Sequence, residues 1–144
     1  MTNNCWFCTD DRGTDAPPGG WFLDDGTWRA GAAPPSMAAA GTVILEARRH
    51  VVDQGGFDEH EAATFVPVVG GLLAAMRTGL GCERVYQWST MAAFEHFHVW
   101  LLPWRTSSLH EGPAHLVDVV HHPASDAEAA EAAARVAASM GVPA

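Results

Sequence analysis

Two groups of residues in this chain stand at spacings that suit metal or nucleophilic chemistry. Cys5-Trp6-Phe7-Cys8 places two thiols where both can reach one tetrahedral metal ion. A redox role for such a pair needs a cysteine opening a helix after a strand in a βαβ setting, and the sequence lacks one. Further along, Glu95-His96-Phe97-His98-Val99-Trp100-Leu101-Leu102-Pro103 alternates as a strand does. Glu95, Phe97, Val99 and Leu101 then share one face, and His96, His98, Trp100 and Leu102 share the other. The two imidazoles lie about 7 Å apart along that face. A neutral imidazole ligates zinc or attacks electrophilic phosphorus, and an ordinary pKa of about 6.5 leaves it largely deprotonated at pH 7. The plainer alternative makes both histidines hydrogen-bonded residues of a sheet surface.

Other elements must hold these residues. Asp10 to Gly20 is rich in Asp, Gly and Pro and reads as a loop. Trp21-Phe22-Leu23 and Thr27-Trp28-Arg29 flank the turn signal Asp24-Asp25-Gly26, which predicts a hairpin. Thr42-Val43-Ile44-Leu45-Glu46 has strand character and stops at Arg48-Arg49-His50, so His50 falls just beyond a strand end. From Asp58, with Glu61 completing a capping box, Ala62, Phe65, Val66, Val69, Leu72, Leu73 and Met76 follow helical spacing. Pro67 contradicts that helix locally, because an interior proline removes a hydrogen bond at a cost of about 3 kcal/mol. Arg84 to Ser89 and Glu95 to Leu102 read as neighbouring strands, and Ser125 with Glu128 caps an alanine-rich helix ending near Gly141. Strands and helices mix without βαβ alternation, which predicts an α+β fold on an antiparallel sheet.

Composition narrows the function. The 144 residues, 48% of them hydrophobic, suit one domain over 1–144 with its own core. A formal charge of -9 offers no basic stripe for a nucleic acid, so any phosphate site must draw on local donors such as Arg48, Arg49, Arg84 or Arg105. Three cysteines make a poor disulfide framework. The polar amino terminus, with no apolar run of membrane-spanning length behind it, predicts a cytoplasmic protein without a membrane partner.

Taken in order, Cys5-Trp6-Phe7-Cys8, Ala47-Arg48-Arg49-His50 and His96-Phe97-His98-Val99-Trp100-Leu101-Leu102-Pro103 resemble the histidine triad (HIT) superfamily over roughly Cys5 to Arg105. The resemblance implies an antiparallel sheet of about five strands, one long helix, a carboxy-terminal helix and a homodimer. By position it implies structural zinc on Cys5, Cys8, His50 and His96, with His60 the rival to His50. It makes His98 the nucleophile toward a nucleotide phosphoramidate, phosphoanhydride or related bond, in a hydrolase or transferase with a small-molecule substrate. Ser89, Thr90, Trp100 and Arg105 are the substrate-binding candidates.

The chain departs from the family pattern twice. Trp100 replaces the third histidine and can donate one hydrogen bond, but it cannot shuttle a proton. Ser89-Thr90-Met91-Ala92-Ala93-Phe94-Glu95 lacks the glycine that lets a backbone approach phosphate closely. A second expectation therefore stands beside the first: an enzyme acting on a non-nucleotide substrate, or an inactive zinc-stabilised binding module. Trp88, Trp100 and Trp104 line a pocket or pack a core, Cys82 reads as a buried thiol, and His110, His115, His121 and His122 read as surface residues.

Overall fold

A computed structural model of the chain describes residues 5–9, 16–89 and 94–141. Thr90 therefore lies outside the described residues, as does most of the loop expected from Asp10. Five strands, β1 (Trp21–Asp24), β2 (Trp28–Ala32), β3 (Val43–Ala47), β4 (Arg84–Trp88) and β5 (His98–Trp104), form one antiparallel sheet in the order β1-β2-β3-β5-β4. Helices α1 (Glu59–Leu80), α2 (Pro113–His121) and α3 (Asp126–Ser139) complete it.

The hairpin forms where expected. Asp25 Oδ1 accepts from the N–H groups of Thr27 and Trp28 at 2.9 and 2.7 Å, and Gly26 takes the left-handed φ of 86° that the turn needs. The alternation of the histidine strand also holds. Phe97, Val99 and Leu101 face a core closed by α1 and α3, whereas Trp100 and Leu102 belong to a second cluster with Cys5, Phe7 and Ile44. β5 itself starts at His98 and runs on to Trp104. Pairing of β3 with β5 stops at Val43 opposite Leu101, so Pro103 has β4 alone beside it, an edge-like place where proline is tolerated.

α1 begins on the predicted box. Asp58 Oδ1 accepts from Glu61 N–H at 2.7 Å, and Glu61 Oε1 accepts from Asp58 N–H at 2.8 Å. Arg49 extends the box, donating through Nη2 and Nε to the two Glu61 oxygens at 2.6 and 3.2 Å. The residue before His50 is thereby locked to the start of α1. Pro67 does lie inside the helix, on its exposed side next to exposed Val66, where the carbonyl it leaves unpaired on exposed Ala63 meets water. At 22 residues α1 is long and apolar enough to cross a membrane, which corrects the reading that no such stretch exists. Here its apolar side packs on the sheet and on α3. Gly79 permits the close α1–α3 approach, because a Cβ there would stand 2.5 Å from the Arg135 carbonyl oxygen.

α2 was not anticipated. It starts with Pro113 at its first turn and packs on the opposite face of the sheet, where buried His115 donates through Nε2 to the Pro103 carbonyl at 2.9 Å. That placement corrects the surface reading of His115.

Hydrogen bonds from Arg49, outweighing burial, hold the Glu61 carboxyl below its ordinary range. A depressed carboxylate stabilises the fold above the unfolded pKa, near 4.3, and loses that contribution as pH falls through the folded value. Glu61→Gln is thus expected to lose about 1–2 kcal/mol at pH 7 in urea unfolding. The gap to wild type should shrink once pH drops below about 4.

Candidate metal centre and the histidine beside it

Three stretches of chain meet at one point. A short 3-10 turn, Trp6–Cys8, brings Cys5 and Cys8 against His50, just past β3, and His96, just before β5. The four donor atoms lie within 4.8 Å of one another. His96 Nδ1 is 3.5 Å from Cys5 Sγ, 3.3 Å from Cys8 Sγ and 3.3 Å from His50 Nδ1, while His50 Nδ1 is 3.2 Å from Cys8 Sγ. A tetrahedral ion with zinc-type bonds of about 2.3 Å to sulfur and 2.05 Å to nitrogen needs separations of roughly 3.6 Å for S···N and 3.3 Å for N···N. The four observed distances come within about 0.4 Å of these values.

The surrounding atoms support the same role. His96 donates through Nε2 to the Ala47 carbonyl at 2.6 Å, so its Nδ1 lone pair points into the cluster. Burial, then hydrogen bonding and charge from Cys5, then the charge of Glu46 push the Cys8 thiol up to about 11. A divalent cation among the donors is the group that reverses such a shift. His60, the rival ligand, is an exposed residue in the first turn of α1 and is not part of this cluster.

His98 follows His96 on the face away from α1 and α3. It is 5% exposed and donates through Nδ1 to the His96 carbonyl at 2.6 Å, which leaves the Nε2 lone pair for chemistry. Burial lowers its pKa, against the opposing effect of that hydrogen bond. Phe7 stacks on the ring with centroids 4.6 Å apart and lies 5.2 Å from the His96 ring. Ser89 donates its hydroxyl to the His98 carbonyl at 2.8 Å, tying the end of β4 to the start of β5. Trp100 is next on the same face, 6.1 Å from Trp88.

The four arginines nominated as phosphate donors are not gathered at His98. Arg48 pairs with Asp24, Arg49 with Glu61 and Arg84 with Glu111, and Arg105 donates to the Leu80 carbonyl at 2.8 Å beyond the far end of β5. The arginine on this face is one that the sequence reading passed over. Arg29 is buried, ion-paired at 3.1 Å with Glu46, and Glu46 stands opposite His98 in the β3–β5 register. The available signal was a single acid ending an apolar strand run, Thr42 to Glu46, with an arginine at a matching position in the hairpin.

No protein-family model matches the chain, and no curated protein does. Solved structures do. A hypothetical histidine triad nucleotide-binding protein from Sulfolobus tokodaii superposes with a TM-score of 0.72 at 12% identity, covering 94% of this chain and 91% of that one. A zinc-bound histidine triad family protein from Mycobacterium smegmatis gives 0.66 at 17% identity, with 96% and 94% covered. The chain has the HIT fold. A uridylyltransferase shares it at a TM-score of 0.65 and 17% identity, with 94% of this chain matching 44% of that larger one. The HIT likeness of the sequence motifs and of the backbone thus agree, and the cysteine pair meets its histidines where the order of motifs in the sequence placed them.

Protein purified without chelator is expected to carry about one zinc ion per chain by elemental analysis. Cys5→Ser should lose it and lower the melting temperature by on the order of 10 °C or more. A metal-free wild type that stays stably folded would overturn the assignment.

Proposed function

We propose that this is a zinc-stabilised HIT-fold enzyme in which His98 is the nucleophile toward a nucleotide phosphoramidate, phosphoanhydride or related bond. One observation carries the reading: Nδ1 of His98 is committed to the His96 carbonyl, so the opposite nitrogen presents its lone pair from a rigid strand. Cys5, Cys8, His50 and His96 would hold the metal in a closed set of four donors, where zinc supplies structural stability and leaves no position for substrate. The metal set fixes His96, and His96 in turn fixes His98.

In the first step a bond forms from His98 Nε2 to phosphorus, and the phosphorus–nitrogen or phosphorus–oxygen bond breaks with its electron pair on the leaving group. Trp100 has no proton to give, so water supplies the one the leaving group takes. In the second step the oxygen of water or of an acceptor hydroxyl attacks phosphorus, the bond to His98 breaks, and the proton passes to solvent. Ser89 serves as a positioning residue that secures the backbone of His98, and Trp100 walls the substrate side. Thr90 remains a substrate-binding proposal, whereas Arg105, past the far end of β5, is withdrawn as one, and a homodimer is the expected assembly.

A second reading has its own support. Phe7 lies flat on His98, and both side chains are buried, as in a site turned over to binding rather than turnover. The two readings separate by trapping. After incubation with adenosine and uridine phosphoramidates and dinucleoside polyphosphates, then alkaline quench, intact mass spectrometry is expected to show a nucleotidyl adduct. His98→Asn should abolish it and drop turnover at least about 1,000-fold. Absence of both adduct and turnover with every substrate would leave the binding-module reading standing.

A further inference from the structure

α2 carries polar groups that neither the cysteine–histidine cluster nor His98 uses. His115, Asp118 and the capping residue His122 follow i, i+3 and i+7 spacing, so they share one helix face. All three line a single recess of about 240 Å3, together with Ser108 and apolar Leu109 and Val119. His115 meets β5 at Pro103, toward the end of the strand remote from His98.

Hydrogen bonds set the lone pairs of this group in advance. His115 is 7% exposed and donates through Nε2 to the Pro103 carbonyl at 2.9 Å, which leaves the lone pair on Nδ1. That buried nitrogen has no hydrogen-bond partner among the described residues. His122 donates through Nδ1 to the Asp118 carbonyl at 2.7 Å, so its lone pair is on Nε2. His110, in the loop before α2, donates through Nδ1 to Asp118 Oδ2 at 2.6 Å and orients the carboxylate. A histidine with one nitrogen tied to a carbonyl and the other open, beside a hydrogen-bonded carboxylate, has the outer-shell pattern of a metal ligand.

The carboxylate and a formal chain charge of -9 select a cation, and imidazole donors select a borderline transition metal over magnesium or calcium. Among the described residues only the set at Cys5 has its donors within 4.8 Å of one another. The group on α2 therefore closes on an ion by rotation of half-buried Asp118 and exposed His122.

We propose that His115, Asp118 and His122 form a second site, for a borderline divalent cation such as nickel or zinc, with His110 positioning the carboxylate. It is independent of the His98 reading. Around it, Ala39 N–H donates to the Val119 carbonyl at 2.9 Å and Ala124 N–H to the Pro35 carbonyl at 2.8 Å. A bound ion thus fixes the end of α2 where it joins the segment between β2 and β3.

Titration of the full chain with nickel chloride tests this, read by calorimetry and by elemental analysis after dialysis. About one nickel ion per chain is expected, with zinc content unchanged and no competition from millimolar magnesium. Asp118→Asn and His122→Ala should each weaken nickel binding at least about 10-fold, and His110→Ala by about 10-fold. His115→Gln, whose amide can keep the bond to Pro103, should weaken it as well; should that variant unfold, the other three decide. His121→Ala, at the neighbouring exposed histidine, and His98→Asn should leave binding intact. Nickel entering only in exchange for zinc, Asp118→Asn and His122→Ala binding as wild type does, or His121→Ala costing as much as His122→Ala would each overturn the proposal.

Discussion

The meeting of Cys5, Cys8, His50 and His96 is the contact on which the rest of this face depends, because it ties the short Trp6–Cys8 turn to the flanks of β3 and β5, which the sheet already pairs. The Trp6–Cys8 turn is too short to hold itself in place. It docks through its two sulfurs and through Phe7, which packs against both histidine rings. His50 lies just past β3 and His96 just before β5, 46 residues apart in the chain and already brought side by side by the β3–β5 ladder. The Arg49–Glu61 bridge works from the other side, fixing the residue before His50 to the helix that carries the core.

Electrostatics on the same face follow a different rule. Two buried charges in a sheet interior are held at a desolvation penalty of several kcal/mol each unless they meet one another. Arg29 and Glu46 do meet, and the pair lies beside His98, with Trp21 stacked on the guanidinium. Trp100 gives this surface an indole beside His98, and the Arg29–Glu46 pair places charged groups on the neighbouring strands.

Much of this was readable from the residues because the signals are local. The turn at Asp25 and Gly26, the box of Asp58 and Glu61, and the alternation from Phe97 to Leu102 each follow from backbone or side-chain geometry within a few positions. The gathering of Cys5, Cys8, His50 and His96 needed more, since no spacing rule relates position 5 to position 96; the order of motifs and their resemblance to HIT proteins pointed to it. What stayed hidden depends on long-range packing. α2 is short, and its buried histidine is satisfied by a carbonyl of β5 that the sequence does not place beside it. The Arg29–Glu46 pair required strand register, which a list of apolar and polar positions leaves open. Pro67 looked like a break because its cost is local, whereas the packing that offsets it runs the length of α1.

Phe7 sits between two metal donors and on top of His98. Its ring therefore stacks both on a histidine of the four-donor cluster and on His98, so a displacement of the ring would be felt by the short turn that carries Cys5 and Cys8. Were an ion held by the cluster to change the affinity of a ligand at His98 through this ring, thermodynamic reciprocity would have the ligand change the affinity for the ion by the same factor, the two coupled through one phenyl group.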